Sequence, residues 1–426
     1  MKPAAWLTAV FPAMSLAIAA CTPVSEPKMA RSSLPRETQP GISGSSMEAF
    51  TSSNNAFAVE LYGSLRDRPG NLVFSPYSLS AALAMAYAGA RGETEAQMAR
   101  TLHFDLPQAE LHPAFNQLDL VLTSMDGSGP APEGSLELRI ANALWADEAL
   151  SLLEDYLDVL ARNYGSGIQR VDFRNSYEPA RQQINTWVNR ATEKRIENLV
   201  PKGAIDHSTR MVLVNAIYFY GDWQRQFDAN DTRLVPFKRL DGSQVEASMM
   251  HAHLTGTAYV SGDGYQAVEL PYQGGNAVMD IIVPDEDRFA EFEAQLEAVF
   301  LSRILGDLRP TDLQLGLPKF EFGASLDAGD QLSALGMPNA LDPALADFSG
   351  MTGARDLYVS KVLQQAFVAV DERGTEAAAA TAVIIAPTSI QVPQLQLIVN
   401  RPFIFAIRDV RSGQILFLGR VLDPTD

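Results

Sequence analysis

A continuous apolar run at residues 211–220 constrains the fold of this chain more than any other segment. The run reads MVLVNAIYFY and consists mainly of strand-forming residues without polar alternation. Such a pattern is typical of a β-strand that is covered on both faces. We therefore predict a central strand in a domain that packs other elements on both sides of it.

Other periodic segments predict that the domain mixes helices and strands. Ser78–Ala90 is nearly apolar all round, which is typical of a helix buried on every side. A length of 426 residues would suggest two or three domains at average size. Because no internal repeat and no linker follow residue 46, we expect one α+β domain over residues 47–426. Its other predicted elements are helices at Ser52–Leu65 and Glu178–Leu199 and strands at Val278–Val283, Phe403–Ile407 and Ile415–Leu418.

One polar residue, Asn215, interrupts the apolar run. A buried amide without hydrogen-bond partners costs about 1–3 kcal/mol, so other segments must bring polar groups to it. Ser75 and Ser78, at the start of the apolar helix, and Gln364 are the candidate partners. The alternative is an asparagine in a turn at the end of the strand, but the apolar run continues beyond it.

The first twenty residues have the character of an export signal. Lys2 supplies the positive charge, and the apolar stretch from Ala4 to Ala20 is short for a transmembrane helix. Cys21, the only cysteine in the chain, follows directly. The arrangement looks like the lipobox of a bacterial lipoprotein and predicts lipidation of Cys21. The alternative is a simple secretory signal that is cut near Ala20, which would release a secreted protein.

Residues 21–46 are rich in Pro, Ser and Gly, and we predict a flexible tether there. Thr22, rather than Asp, follows the cysteine. By resemblance to lipoproteins of double-membraned bacteria, this implies an anchor in the outer membrane. With one cysteine at the boundary, no internal disulfide can form.

The net charge of −18 argues against nucleic-acid binding and against docking on anionic headgroups. We therefore expect membrane contact only through a lipid on Cys21. His251 and His253 lack a third ligand, so no metal site is predicted, and no cofactor is expected.

The segment Glu372–Asn400 combines properties of a loop and of a strand. Gly374 opens it, and twelve residues without proline, 375–386, precede Pro387. A central strand tolerates no proline, so this stretch could enter a sheet although its composition is that of an exposed loop. We interpret it as a switch. The alternative is a helix that begins at Gly374, because alanine is the best helix former.

Five ordered motifs resemble those of the serpin family. They are residues 71–79 (NLVFSPYSL) with 89–94 (GARGET), 214–223 (VNAIYFYGDW), 269–272 (ELPY), 370–377 (VDERGTEA) and 400–405 (NRPFIF). The resemblance spans about residues 47–426. It implies the serpin fold, a single large α+β domain with three β-sheets, about eight or nine helices and an exposed reactive-centre loop at about 372–399.

The resemblance also implies a function. A serpin of this kind is a suicide-substrate inhibitor, not an enzyme. Its partner, a serine protease, cleaves the loop and forms a covalent acyl-enzyme. The cut loop then inserts as a new strand of the main sheet, and the distorted protease cannot complete the reaction. A monomer is expected.

The family motif implies a hinge at the start of the loop. Because alternate side chains of a strand share a face, Thr375, Thr381 and the small or apolar residues at the odd positions between and beyond them would turn inward, while Glu376 would face solvent. The inward set carries no charge. The hinge residues are Glu372, Gly374, Thr375, Glu376, Ala377, Ala378, Ala379, Ala380 and Thr381.

Counting from Glu372 as the family does implies cleavage between Thr388 and Ser389. The loop is a few residues longer than in familiar animal inhibitors, so Ile390 or Gln391 is an alternative. No Lys, Arg or aromatic residue lies between Gly374 and Asn400. The bait therefore suits elastase-like or subtilisin-like enzymes better than trypsin-like or chymotrypsin-like ones.

Two further clusters are implied by the resemblance. The "breach", at the top of the main sheet, comprises Trp223, Lys319 and Glu372. The "shutter" is the polar cluster under the sheet, formed by Ser75, Ser78, Asn215 and Gln364. The family usually has histidine where Gln364 stands, so pH sensitivity from that histidine should be absent.

Two rival functions remain at this point. An exported lipoprotein enzyme is one, although the chain has neither Gly-x-Ser-x-Gly nor His-Glu-x-x-His. The other is a non-inhibitory serpin that acts as a chaperone or carrier. Such members typically place charge or bulk in the hinge, and this hinge has neither at its inward positions.

Overall fold

The computed structural model describes residues 28–123, 136–375 and 395–426. Its helices are α1 (Gly44–Leu65), α2 (Pro76–Tyr87), α3 (Gly92–Thr101), α4 (Gln108–Thr123), α5 (Glu154–Tyr164), α6 (Phe173–Ala191), α7 (Phe289–Ala294), α8 (Ala298–Gly306), α9 (Gly329–Leu335), α10 (Pro338–Leu341) and α11 (Ser349–Thr352). Its strands are β1 (Lys28–Ala30), β2 (Leu72–Phe74), β3 (Glu137–Asp147), β4 (Ile168–Val171), β5 (Met211–Asp222), β6 (Arg233–Lys238), β7 (Gln244–Gly262), β8 (Tyr265–Pro271), β9 (Ala277–Pro284), β10 (Arg309–Pro318), β11 (Phe320–Asp327), β12 (Val359–Val370), β13 (Gly374–Thr375), β14 (Leu395–Ile398), β15 (Phe403–Asp409) and β16 (Ile415–Val421).

Seven strands form the first sheet, in the order β1-β4-β3-β5-β13-β12-β11. The predicted central strand is β5, and all but one of its residues are buried. It pairs antiparallel with β3 on one side. On the other side it pairs in parallel with β12, with Asn215 opposite Gln364. This parallel pairing lies in the middle of the sheet.

The second sheet has nine strands, in the order β14-β10-β7-β8-β9-β15-β16-β2, with β6 also paired to β7. The resemblance implied three sheets, whereas the described residues form two hydrogen-bonded networks. The reason is the length of β7, whose 19 residues pair with β6 over the first part, with β10 from Met249 to Tyr259, and with β8 at the end. One continuous strand thus joins what would otherwise be two sheets.

Helix α2 lies between the two sheets, in contact with β3 and β5 of the first and β16 of the second. All of its residues are buried, as the all-round apolar pattern predicted. It begins two residues earlier than expected, because Ser75 caps it and Pro76 occupies its first turn, where a missing N–H is tolerated.

The segment after residue 27 differs from the predicted tether. Lys28–Ala30 is the edge strand β1, paired with β4. Arg36 then forms an ion pair of 2.6 Å with Asp119 of α4, and Glu37 N donates to Arg162 O at 2.9 Å. Residues 28–46 are therefore part of the folded body, since an edge strand and ion pairs need no large apolar side chains. Residues 1–27, with the predicted signal and Cys21, lie outside the described residues.

Two further expectations need adjustment. The helix predicted at Glu178–Leu199 is α6, Phe173–Ala191, which starts at the Asp172 cap and ends just before Glu193 and Lys194, both with positive φ. The described residues contain eleven helices, more than implied, because α7, α10 and α11 have six residues or fewer. The α+β fold class is confirmed. Within the described ranges, no helix has the length and apolarity to cross a bilayer.

Candidate functional site

The chain turns sharply after β12 and re-enters the first sheet. The Asp371 carboxylate makes the turn by accepting the N–H groups of Arg373 at 2.9 Å and Gly374 at 3.2 Å. Gly374 and Thr375 then form β13 between β5 and β12, opposite Asp222 and Gly221 of β5. The first residues of the predicted hinge beyond the turn are therefore already paired inside the sheet.

Gly374 is required at this position by space. A Cβ on Gly374 would lie 2.0 Å from the carbonyl oxygen of Gly221 and 2.6 Å from Cα of Asp222. Both contacts are with backbone atoms, which cannot move aside cheaply. The absence of a side chain at Gly374 therefore lets the two backbones approach closely.

Thr375 is fully buried, and its hydroxyl oxygen lies 2.8 Å from the hydroxyl oxygen of Tyr272. The Tyr272 ring stacks on Trp223, with centroids 4.6 Å apart and planes at 15°. Burial raises the pKa of Tyr272, so its hydroxyl stays neutral. The site beneath the hinge thus accepts a short neutral side chain.

The breach residues converge on the turn above the hinge. Lys319 Nζ lies 2.8 Å from Glu372 Oε2, and Thr232 donates to Glu372 Oε1 at 2.8 Å. Trp223 Nε1 donates to Asp371 O at 3.0 Å. Burial raises the pKa of Glu372, but the hydrogen bonds from Lys319 and Thr232 outweigh it, and the net pKa lies below the ordinary value. Glu372 is therefore held as a carboxylate.

The shutter residues meet where β5 and β12 pair. The Asn215 amide N–H groups donate to Ser78 Oγ and Asn142 Oδ1, and Asn215 Oδ1 accepts from Gln364 Nε2. Ser78 Oγ also donates to Asn142 Oδ1 at 3.1 Å. Both amide N–H groups of Asn215 and both amide N–H groups of Gln364 therefore have an acceptor. The cluster joins α2, β3, β5 and β12 at one buried point.

Gln364 contacts the backbone of Ser75 at both of its polar ends. Its Oε1 accepts from Ser75 N at 2.9 Å, and its Nε2 donates to Ser75 O at 2.9 Å. A primary amide offers a donor and an acceptor side by side, which matches one residue's N–H and C=O. This double contact explains how glutamine serves where the family pattern has histidine.

Comparison with known proteins agrees with the motifs. The family model described as Serpin (serine protease inhibitor) matches residues 52–424. The chain belongs to the serpin family. Leukocyte elastase inhibitor A of Rattus norvegicus is 36% identical over 388 residues, covering 89% of this chain and 100% of that protein.

Solved serpin structures share the fold. The thermophilic serpin tengpin in its native state matches with a TM-score of 0.82 at 28% identity, covering 94% of this chain and 100% of that one. A thyroxine-binding globulin complex with thyroxine matches with a TM-score of 0.77 at 29% identity, covering 88% and 99%. Serpins are protease inhibitors rather than catalytic enzymes, so membership of the family is consistent with the expectation that this chain is not an enzyme.

The structure of this serpin adds residues that the sequence did not single out. Asn142 completes the shutter, and the signal for it was present, since it interrupts the apolar strand LRIANALW as Asn215 interrupts β5. Tyr272 lay within a quoted motif but had no assigned role. Thr232 gave no sequence signal. Among the described residues, no group of three or more His, Cys, Asp or Glu side chains could hold a metal ion.

Several predicted site residues lie outside the described part of the chain. They are the lipidation site Cys21, the later hinge residues Glu376, Ala377, Ala378, Ala379, Ala380 and Thr381, and the reactive bond Thr388–Ser389. Their roles stay predictions.

Replacing the shutter glutamine should destabilise this serpin. Gln364→Leu would leave Ser75 N and Asn215 Oδ1 without partners in a buried site, at about 1–3 kcal/mol for each unsatisfied group, while Ser75 O would keep the N–H of Leu79. We expect the free energy of unfolding in urea to fall by at least about 2 kcal/mol. Gln365→Leu, one residue along on the opposite face of β12, is the matched control. Equal effects of the two substitutions would contradict the prediction.

The breach should weaken in acid. Because the pKa of Glu372 is lowered by folding, its stabilising contribution is present above the ordinary glutamate pKa and is lost as the pH falls through the lowered value. Between pH 7 and about pH 3.5, the free energy of unfolding of the wild type should therefore fall by about 1 kcal/mol or less relative to that of Glu372→Gln, which lacks this contribution at every pH. Unfolding free energies of both proteins across this range test it, with the exposed Glu321→Gln as control. Parallel pH profiles for wild type and Glu372→Gln would refute it.

Proposed function

We propose that this serpin inhibits a serine protease by loop cleavage, trapping of the acyl-enzyme and insertion of the cut loop between β5 and β12. The observation that carries the proposal is β13. Gly374 and Thr375 are paired with β5, and Thr375 also with β12. The loop thus starts inside the sheet, at the position where a new central strand would begin.

Extending β13 would change the pairing of the whole sheet centre. Below Thr375, β5 and β12 pair with each other in parallel, from Phe367 opposite Tyr218 to Val359 opposite Met211. A longer β13 would run antiparallel to both strands and would replace one parallel ladder with two antiparallel ones. Antiparallel pairing is slightly more stable per residue, and the number of ladders doubles. Both changes favour the inserted state once the loop is cut.

The register of β13 predicts where Thr381, the next polar residue of the inward-facing set, would go. Thr375 pairs with Gly221, so Thr381, six residues later, would pair with Asn215, six residues earlier on β5. Gln364 would flank it on β12. An even step of six keeps Thr381 on the buried face of Thr375. Its hydroxyl can donate and accept, so it could bridge the two amides that insertion separates.

The target is an elastase-like or subtilisin-like protease. The loop offers small and aliphatic residues around Thr388 and no basic or aromatic residue between Gly374 and Asn400. Relatives named leukocyte elastase inhibitor support this class. The proposed location is outside the cytoplasm, with a lipid on Cys21 anchoring the protein to the cell envelope.

A charge at the buried hinge position should abolish trapping. Thr375→Arg would have to bury an unpaired guanidinium beside neutral Tyr272, which costs several kcal/mol, so insertion should fail and the loop should be cut as a substrate. Glu376→Arg is the matched control, because that side chain is predicted to face solvent. Denaturing gels with elastase should give a stable complex for the wild type and Glu376→Arg but only cleaved Thr375→Arg.

Thr375→Ser checks that Thr375→Arg acts through charge, since it keeps the hydroxyl and should still form the complex. Melting of the cleaved chains gives a second measurement. The cleaved wild type should melt well above its uncut form, whereas cleaved Thr375→Arg should gain much less. A gel-stable complex of Thr375→Arg at the wild-type yield would count against insertion. Failure of every variant and the wild type to form a complex would favour a carrier or chaperone.

Protease preference provides an independent prediction. Second-order inhibition rate constants should be about tenfold or more higher for elastase or subtilisin than for trypsin, because pocket fit typically discriminates by factors of that order. Mass spectrometry of the complex should locate the acyl bond at Thr388 or a few residues later. Faster inhibition of trypsin, with the adduct inside this loop, would refute the assignment.

A further inference from the structure

The N-terminal segment 28–43 is held firmly on the folded body. Besides the β1–β4 pairing, Ser32 Oγ donates to Asp158 Oδ1 at 2.5 Å, and Arg36 Nε donates to Asn116 Oδ1 at 2.7 Å. Asn116 Nδ2 in turn donates to Glu37 O at 2.7 Å. These contacts tie the segment to α4, α5 and the edge of the first sheet. We refer to residues 28–43 as the N-terminal strap.

The strap shortens the free linker behind Cys21. If residues 21–46 were all free, the 25 steps between them would reach at most about 90 Å at about 3.6 Å per residue. With Lys28 fixed in β1, only seven steps separate it from Cys21, and the reach falls to about 25 Å. An anchor attached to Cys21 would therefore keep Lys28, the first residue of the strap, within about 25 Å of the anchoring surface.

The strap enters the sheet at the end opposite to the hinge. Lys28 lies opposite Arg170, Arg170 opposite Ala146, and Ala146 opposite Met211, the first residue of β5. The hinge pairs with the other end of β5, at Gly221. Ten residues of strand separate the two rows, which corresponds to about 33 Å.

We propose that the lipid-anchored serpin stands on the bilayer with its strap end towards the lipid and its hinge end facing away. The inference rests on the lipid anchor proposed for Cys21. A reach of about 25 Å is shorter than the separation of about 33 Å between the strap and hinge rows. A fully inverted orientation, with the hinge end on the bilayer and the strap end pointing directly away from it, is therefore excluded. A sheet lying flat on the bilayer is within reach, and it is the orientation that equal transfer in the experiment below would indicate. The anchored inhibitor presents its loop to proteases in the surrounding fluid rather than to enzymes embedded in the same membrane.

Gly167 offers a way to release the strap. A Cβ at this position would lie 2.3 Å from the carbonyl oxygen of Ala30, so Gly167→Val should push β1 off the sheet edge and lengthen the linker. Gly63→Val is the matched control, because nothing lies within 4 Å of a Cβ there. Arg36→Ala, which removes the contacts with Asp119 and Asn116, is a second way to loosen the strap without adding bulk.

Energy transfer to the membrane surface tests the orientation. The chain from Cys21 onward is coupled through that cysteine to a maleimide lipid in phosphatidylcholine vesicles with a headgroup acceptor dye. A donor is placed, through an unnatural amino acid, at exposed Glu148 near the strap end or at exposed Leu234 beside the breach. Transfer from position 148 should exceed that from position 234 at least about twofold, because the ends lie about 30 Å apart. Gly167→Val and Arg36→Ala should reduce the difference, and Gly63→Val should not.

Equal transfer from both positions, or greater transfer from position 234, would overturn the proposed orientation. A difference that survives both Gly167→Val and Arg36→Ala unchanged would overturn the assignment of that orientation to the strap. The chemical coupling supplies the lipid whether or not the cell attaches one. A separate measurement, the mass of the N-terminal peptide from cells that make the full chain, tests lipidation itself. Failure of the orientation and failure of the anchor are thus distinguished.

Discussion

The parallel pairing of β5 with β12 is the interaction on which the rest of this structure depends. It closes the middle of the seven-stranded sheet, and under the proposed mechanism its ladder would be replaced by a longer β13. The boundary between β5 and β12 is referred to below as the seam. The turn at Asp371 directs the following residues into this seam, and Gly374 allows them to enter at its upper end. The centre of the sheet is therefore fully paired, although β13 contributes only two residues where a full-length strand would lie under the proposed mechanism.

Under the proposed mechanism, the shutter would govern how readily β5 and β12 separate. Asn215 and Gln364 hydrogen-bond across the β5–β12 pairing and are themselves bonded to Ser75, Ser78 and Asn142. In a buried site, a network with every N–H group satisfied is rigid, and breaking one member leaves others unpaired. Opening the seam must therefore exchange several hydrogen bonds together. The glutamine contributes contacts that do not depend on pH in the physiological range, since an amide does not titrate.

The sequence was most informative where burial forces a partner on a polar group. Asn215 in an apolar strand required polar neighbours, and Ser78 and Gln364 do bond to it directly, with Ser75 on the far side of Gln364. The docked strap at 28–43 was missed, because edge pairing and ion pairs leave no apolar pattern to recognise. The seating of Gly374 and Thr375 was also missed. Local propensity in that segment favours a helix. The position between β5 and β12 that Gly374 and Thr375 occupy is created by the tertiary fold and leaves no signal in the local sequence.

Gly374 and Thr375, which are paired at the upper end of the seam, also bear on the register in which the following residues could pair. A strand that enters a sheet can pair in either of two frames, which differ by one residue and exchange its two faces. If the loop inserts as proposed, Thr375 on Tyr272 selects one frame in advance, and in this frame the carboxylate of the next residue, Glu376, would face away from the core. The other frame, which would bury that carboxylate, would thus be disfavoured from the first step of insertion.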